Sequence, residues 1–540
     1  MLFFSDLQGT YQTARSIGNK AHIVTKSNVR TWFHLDQHVS PWDKRYEDIY
    51  DEDEYRIAAY ENVMPYIPKF AERLAEEVLN SHGKDLNEMA TTTCTDIAKV
   101  ALMLHKQENS NKKLQGDEAE VSVLSFTTEG VLNDYVQVHS IDLEETFSSD
   151  SNSNDGNNSI ITTSHSGVFL PTASYTQNVY ASDTKLIVSG NAYQEVSTSG
   201  GSSSNEWQER TVLFAFDLSN GIAVAHSVGE VSGSVLNQFS MDHYDYNNDE
   251  GDDGHEYIRV ATTTWAQFSL VDGLWTQTLE SSNQVSILKI PPSTNDDGEA
   301  ISNTNIEIVG EATGMGVGER IYAARFIKEK GYIVTFRQVD PFYTLNLTDP
   351  QNPQVIGELK IPGFSNYLHP VSDDLILALG QDADENTGIV QGLQIAMFNV
   401  SDFANPQQVH KYVEQGYSSS NAQYEHKAFR YLPENKLLIL PLTIYDKDKF
   451  DGFVVYDVDE EKKAFSRSFT ITHRDSSSEK ACLDYTLPSR SLVFDGKVTT
   501  TKHKTVLSHD LISFEKQWTL NLKSNRDSSM EDCIYQDWLW

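Results

Sequence analysis

Cysteine is scarce in this chain of 540 residues. Its three cysteines, Cys94, Cys482 and Cys533, are far apart in the sequence. Such a set excludes a small disulfide-built scaffold and lacks the paired CxxC ligands of a structural zinc site. A disulfide between Cys482 and Cys533 across the last repeat is one interpretation and buried free thiols are the alternative, so the redox compartment stays open.

Long apolar runs and excess positive charge are also missing. No segment approaches the roughly 18 consecutive apolar residues of a membrane helix, so the sequence predicts no membrane span. The chain has 42 Lys and Arg against 78 Asp and Glu, which gives a formal net charge of -36. Because such a surface repels phosphates, the charge argues against nucleic acids and anionic lipid as partners.

What the sequence does contain is a repeated phrase: an apolar residue, then Asp, Asn or once Lys, then a second apolar residue, after strand-like sequence. Its seven copies are centred on Asp142, Asp217, Lys289, Asn346, Asn399, Asp457 and Asp510, and the last copy starts with His509 in place of an apolar residue. The centres lie 75, 72, 57, 53, 58 and 53 residues apart. This interval fits one four-stranded blade with hairpin loops of variable length.

Two longer matches support this repeat. LNLTDPQNP from Leu345 aligns with FNVSDFANP from Phe398, and ARSIGNKAHIV from Ala14 aligns without gaps with ARFIKEKGYIV from Ala324. The second pair marks an earlier strand of each repeat. We therefore predict an all-β protein, a β-propeller of seven blades that are each a four-stranded antiparallel sheet.

A helical pattern interrupts the first repeat. The stretch PKFAERLAEEVLNSHG from Pro68 has apolar residues at helical spacing and ends on Gly83, a helix stop. We expect a helical insertion at about residues 29–118 inside the first blade. The propeller is then predicted over residues 1–520, followed by a C-terminal tail at 521–540.

Four segments carry a resemblance to a known family. They are LNQFSMDHY from Leu236, the long run from Gly318 to Pro370, YEHKAFRYLPENKLLILPL from Tyr424, and SRSLVFDGK from Ser489. In them the chain resembles the uncharacterised secreted proteins with a C-terminal β-propeller domain, which occur in bacteria and archaea and are distantly like WD-type propellers. The resemblance spans roughly residues 7–520 and implies an extracellular or cell-surface location, but no activity.

The start of the chain departs from that family. MLFFSDLQGT has no basic region and only a short apolar run. We therefore expect no intact secretory signal here. Either the C-terminal tail supplies the strand that closes the ring, or the natural N-terminus lies further upstream, and the missing signal favours the second.

Basic residues recur at one position of the repeat. Aligning the first strands superposes Arg15, Asn178, Met241, Arg325, His369, Lys427 and Arg490, with His426 beside Lys427. First strands line the channel of a propeller, so the five basic or His residues of this set, with His426 and Arg337 nearby, predict a basic ring suited to a carboxylate or sulfate. The alternative is structural: the same side chains pair with Glu319, Asp340, Glu425 or Asp484 and fill a channel that binds nothing.

An acidic loop is a candidate Ca²⁺ site. Its alternating oxygen side chains are Asp245, Asn247 and Asp249, and Asp253 and Glu256 follow as further ligands. Two similar stretches begin at Asp150 and Asp382. Glycine falls one place later than in an EF-hand loop, so an ordinary solvated turn is the alternative. No other cofactor is predicted.

Catalytic signatures are absent: the sequence has no GxSxG, HExxH, P-loop or dinucleotide fingerprint. We assign no catalytic residue and favour a non-catalytic extracellular binding or scaffold protein with a protein or glycan partner. The alternative is a secreted lyase or hydrolase that acts on an anionic polysaccharide, with His369, His426 or Tyr424 as acid or base.

Overall fold

The computed structural model describes residues 10–28, 132–142, 163–171, 177–196, 206–246, 256–271, 274–292, 304–336, 340–384, 387, 389–445, 450–473 and 487–522. The predicted helical insertion, the three cysteines and the tail beyond residue 522 lie outside these residues. Within them the helical elements are three short 3-10 helices, Gln238–Ser240, Asn421–Gln423 and His426–Ala428. The described chain is otherwise strands and turns, as the all-β prediction requires.

The chain divides into two compact units, Met1–Thr313 with Pro350–Asn352, and Gly314–Asp349 with Pro353–Trp540. Three large sheets begin in the first unit. The first sheet contains β1 (Thr10–Ile17), β2 (Lys20–Asn28), β3 (Leu132–Asp142) and β4 (Thr163–Pro171). The second contains β5 (Gln177–Ala181), β6 (Lys185–Val196), β7 (Glu206–Asp217) and β8 (Val224–Ser232).

The third sheet is more elaborate. It contains β9 (Ser234–Val235), β10 (Met241–Asp245), β11 (Glu256–Thr264), β14 (Ser282–Ile290) and β16 (Glu307–Met315), with the hairpin β12 (Gln267–Val271) and β13 (Leu274–Leu279) between β11 and β14. The short β15 (Thr304–Asn305) pairs in parallel with β8 and so extends the second sheet.

Four sheets make up the second unit. The fourth sheet is β17 (Arg320–Ile327), β18 (Lys330–Phe336), β19 (Asp340–Asn346) and β20 (Gln354–Ile361), and the fifth is β21 (Phe364–Ser372), β22 (Leu375–Ala383), β23 (Val390–Asn399) and β24 (Gln407–Gln415). The sixth is β25 (Ser418–Ser419), β26 (Arg430–Leu432), β27 (Leu437–Ile444), β28 (Phe450–Asp459) and β29 (Ala464–Thr472). The seventh is β30 (Leu487–Phe494), β31 (Lys497–His503), β32 (Thr505–Asp510) and β33 (Lys516–Asn521).

The repeated phrase falls at or near the end of the third strand in every large sheet. Its central residue has a structural reason. In four sheets the side-chain oxygen accepts a hydrogen bond from the backbone N–H two residues later, at 2.9 to 3.3 Å: Asp217, Asn346, Asn399 and Asp510. Asp and Asn therefore recur because they close the turn that follows the third strand.

The gapless sequence match near Arg15 and Arg325 is also a match of register. Arg15 pairs with His22 across β1 and β2, and Arg325 pairs with Tyr332 across β17 and β18. Both hairpins have a bulge at the equivalent place. It begins at Tyr11 in β1 and at Ile321 in β17, four residues before the arginine in each case. Sequence similarity thus reports the same local backbone geometry in two sheets.

Apolar cores form between successive sheets. In the second unit one core joins the fourth and fifth sheets, where the Phe342 and Phe398 rings stack with centroids 4.7 Å apart. Another core joins the sixth and seventh sheets around Phe453 and Val498. Sheets that are buried on their faces by neighbouring sheets are typical of propeller blades.

Candidate functional site

The first strands carry six of the seven aligned positions. Arg15, Asn178, Met241, Arg325, His369 and Arg490 lie on β1, β5, β10, β17, β21 and β30. Lys427 does not lie on a first strand. The sixth sheet begins with two short strands, β25 and β26, that are separated by two 3-10 helices, and Lys427 lies in the second helix. Arg337 lies outside the described residues.

Arg430 takes the place that sequence alignment gave to Lys427. It lies two residues before the end of β26, as Arg325 does in β17 and Arg15 in β1. Its guanidinium donates to the Ser491 carbonyl of the next sheet, at 3.0 and 3.3 Å. Counting back from the hairpin turn, instead of forward from the start of the similarity, would have found this residue.

In the first unit the aligned polar residues make structural bonds. Arg15 donates to the Gln238 side chain at 3.0 Å, and to the Thr13 hydroxyl at 3.1 Å. Asn178 donates to the Val235 carbonyl at 3.5 Å. These bonds fit the structural alternative for this part of the chain.

In the second unit Arg325 lies beside a tyrosine and a histidine of β21. The Tyr367 hydroxyl is 3.3 Å from Nδ1 of His369, whose ring packs 4.8 Å from Phe429 and 5.6 Å from Tyr431. Burial, reinforced by the positive charge of Arg325, lowers the pKa of His369 from 6.5 to about 4. His369 is therefore a neutral imidazole near pH 7.

Arg490 has a carboxylate partner. Its Nη2 lies 3.2 Å from Oε2 of Glu425, and its Nη1 donates to the Ser489 carbonyl at 2.9 Å. Oε1 of Glu425 accepts a hydrogen bond from the Lys427 backbone at 3.3 Å and lies 3.8 Å from Nδ1 of His426. Glu425 is thus one predicted counter-ion that the structure places against a basic residue of the set.

The other predicted counter-ions are placed differently. Glu319 accepts a hydrogen bond from the Thr335 hydroxyl at 2.5 Å. Asp340 begins β19, and Asp484 lies outside the described residues. The structure therefore brings Arg490, Glu425 and His426 together, and separately Arg325, Tyr367 and His369.

Arg467 is held by its carboxylate partner more firmly than Arg490 is. Arg467 donates to both oxygens of Glu414 at 3.1 and 3.3 Å, and Glu414 also accepts from the Tyr456 hydroxyl at 3.1 Å. The Arg490 and Glu425 side chains are 22% and 45% exposed, whereas Glu414 is only 6% exposed. The Arg490 pair is consequently the more easily displaced of the two.

The candidate Ca²⁺ ligands are only partly described. Asp245 and Glu256 are paired across β10 and β11, while Asn247, Asp249 and Asp253 lie outside the described residues. Oε2 of Glu256 lies 2.5 Å from the buried Lys185 ammonium. Burial opposes ionisation of Glu256, but bonds from His243 and Lys185 outweigh it and hold its pKa at about 2.

Of the two similar acidic stretches, the one at Asp150 lies outside the described residues. In the other, Asp382 binds Lys411 at 2.5 Å, and Asp384 accepts bonds from the Thr387 backbone and hydroxyl at 2.8 and 2.9 Å. Among the residues placed by the structure, no group of three or more His, Cys, Asp or Glu side chains is arranged to hold a metal ion. In the same part of the chain, no helix is long and apolar enough to cross a membrane.

Comparison with known proteins agrees with this fold. A family described as Beta propeller domain matches residues 2–514. The uncharacterized protein MJ1554 of Methanocaldococcus jannaschii is 37% identical over 213 residues, which are 39% of this chain and 28% of that protein. An uncharacterized protein of Archaeoglobus fulgidus is 34% identical over 233 residues, which are 43% of this chain and 30% of that protein.

Both matches therefore span less than a third of those archaeal proteins. Among solved structures, Saccharomyces cerevisiae Sqt1 has a TM-score of 0.33 and 8% identity over 64% of this chain and 85% of that chain. Apo AztD from Citrobacter koseri has a TM-score of 0.31 and 10% identity over 72% of this chain and 92% of that chain. Likenesses this low carry no argument about function.

Proposed function

Because this chain belongs to the Beta propeller domain family, with seven blades formed by its large sheets, we propose that it is a non-catalytic extracellular binding or scaffold protein. Its ligand in this proposal is an acidic group, a carboxylate or sulfate. The proposed binding residues in the second unit are Arg325 on β17 and Arg490 on β30, with His369, His426 and Lys427 beside them. The extracellular location rests on the family resemblance.

One observation carries the proposal. Arg490 is held by the carboxylate of Glu425, a pair in which both groups reach solvent. Exposed ion pairs contribute only about 0–1 kcal/mol, so a ligand carboxylate can replace Glu425 at little cost. A planar guanidinium is also well shaped to bind two oxygens of one ligand group.

The state of His369 argues for binding over catalysis. A general base works best with a pKa near the working pH, and the pKa of His369 is lowered to about 4. Its ring is also enclosed by Phe429 and Tyr431. This histidine suits a structural role beside the ligand.

Titration calorimetry with tri-galacturonate tests the proposal. Arg490→Met and Arg325→Met should each weaken binding about tenfold or more, since a charge-assisted hydrogen bond contributes about 1.5–3 kcal/mol. Arg320→Met is the matched control, because Arg320 is exposed and lies over its own neighbour Tyr322 at 4.6 Å. Absence of binding by the wild type, or equal binding by all variants, would contradict the proposal.

A polysaccharide lyase is the second candidate, favoured by the Tyr367 hydroxyl that lies 3.3 Å from His369 beside Arg325. In such an enzyme the arginine would neutralise a uronate carboxylate while tyrosine or histidine moves the proton. Ultraviolet absorbance of unsaturated product from polygalacturonate measures this activity. Product formed by the wild type and abolished in Tyr367→Phe would support the lyase, and no product would exclude it for this substrate.

A further inference from the structure

Buried and partly buried ionisable side chains lie together between the sixth and seventh sheets, at one end of their strands. Nζ of Lys502 lies 2.7 Å from Oδ1 of Asp451, and Nε2 of His503 lies 2.6 Å from Oδ2 of the same carboxylate. Lys502 also donates to the Thr443 hydroxyl at 3.0 Å and to the Leu442 carbonyl at 3.4 Å. All these bonds cross from β31 of the seventh sheet to β27 or β28 of the sixth.

His473, which directly follows β29, completes this cluster. Its Nε2 lies 2.9 Å from the Thr500 hydroxyl of β31, and its ring centroid lies 5.5 Å from that of Phe453. Its Nδ1 is buried and has no hydrogen-bond partner among the described residues. A doubly protonated imidazole would therefore bury an Nδ1–H that has no acceptor among the described residues.

The charges around His473 are unbalanced. Lys502 and His503 face it from β31, His509 faces it from β32, and Asp451 faces it from β28. One carboxylate therefore meets one lysine and, with His473 itself, three histidines. A proton added to His473 would place a new positive charge beside Lys502, whose side chain is only 4% exposed.

We propose that this cluster of Asp451, His473, Lys502, His503 and His509 is a pH-sensitive latch, which holds the seventh sheet on the sixth near neutral pH and releases it on acidification. The seventh sheet is suited to local opening. Its outer strand, β33, is exposed along all six residues. The face of the seventh sheet that packs on the sixth is held by the apolar core and by the cluster.

The direction of the pH effect follows from His473. Burial, and then the charge of Lys502, lower its pKa from 6.5 to about 4. The folded imidazole resists protonation, so its contribution to stability is complete above pH 6.5 and is lost as the pH falls towards 4. With these two values the equilibrium for opening rises about 20-fold between pH 7 and pH 5.

Asp451 does not offset this effect. Burial opposes its ionisation, but bonds from His503 and Lys502 outweigh burial and hold the pKa of Asp451 at about 2. The carboxylate therefore stays charged between pH 7 and pH 5. We therefore assign the acid response in that window to His473.

Hydrogen exchange of the whole chain, read by mass spectrometry at pH 7 and pH 5 and corrected for intrinsic rates, tests the latch. Peptides from β30–β33 of the wild type should lose protection about 20-fold on acidification. His473→Gln, which cannot titrate, should remove most of that dependence. His410→Gln is the control, because His410 packs on Phe465 away from the cluster, and should behave as wild type.

An unchanged pH dependence in His473→Gln would overturn the proposal. If that variant does not fold, the imidazole of His473 in the wild type can be titrated by nuclear magnetic resonance. Release of β30–β33 that coincides with protonation of a pKa-lowered His473 supports the latch. An ordinary pKa near 6.5, or release that does not follow this titration, overturns it.

Discussion

Glu425 competes with the proposed ligand for Arg490, so its replacement should strengthen binding of the ligand instead of weakening it. The carboxylate lies 3.2 Å from Nη2 of Arg490. At that distance Coulomb's law in bulk water gives about 1.3 kcal/mol, and measured exposed pairs contribute about 0.2–1 kcal/mol. Because the ligand must displace this pair, Glu425→Gln should tighten binding of an acidic ligand by about 1.5- to 5-fold.

The glutamine keeps an oxygen that can accept the hydrogen bond from the Lys427 backbone, so the 3-10 helix should persist. Titration calorimetry with tri-galacturonate at low ionic strength measures the change. Glu434→Gln is the control, since it removes an exposed carboxylate from the same unit and corrects for the general loss of negative charge. Binding by Glu425→Gln that is weaker than or equal to that of Glu434→Gln would refute the displacement argument.

Three further predictions concern stability and metal binding. Lys185→Met leaves Glu256 without its closest cation, 2.5 Å away, and should lower the free energy of unfolding in urea by about 3 kcal/mol; a change below about 1 kcal/mol would contradict the buried pair. Phe342→Ala removes a fully buried ring stacked on Phe398 and should cost about 3–5 kcal/mol in the same assay, with an unchanged midpoint contradicting the inter-sheet core. Calcium binding at residues 245–256 stays a prediction. Because Lys185 already holds Glu256, calorimetry should show at most millimolar affinity for Ca²⁺, and micromolar binding would contradict the pairing of Glu256 with Lys185.

The repeat was predictable because local chemistry fixes it. An Asp or Asn that closes a turn after the third strand recurs at the same place in successive sheets, and the equivalent bulges before Arg15 and Arg325 keep their sequences alignable. Sequence periodicity reports such features directly, since each is made within one hairpin or turn. The order and type of the sheets follow from them.

The site was less predictable because its bonds join residues of different sheets. The alignment placed Lys427 on a first strand, but two 3-10 helices break that strand and Arg430 takes the position. The pairing of Lys502 with Asp451 joins residues about fifty positions apart and follows no repeat. Such partners depend on how one sheet packs on the next, which the period of the sequence does not encode.

The pKa of His369, measured by nuclear magnetic resonance with and without saturating tri-galacturonate, tests the central claim most directly. Burial and the nearby charge of Arg325 lower this pKa to about 4. A carboxylate bound at Arg325 would offset that charge, so the account predicts that the ligand raises the pKa of His369 towards 6.5. An unchanged pKa in the saturated complex would place the ligand elsewhere and contradict the account.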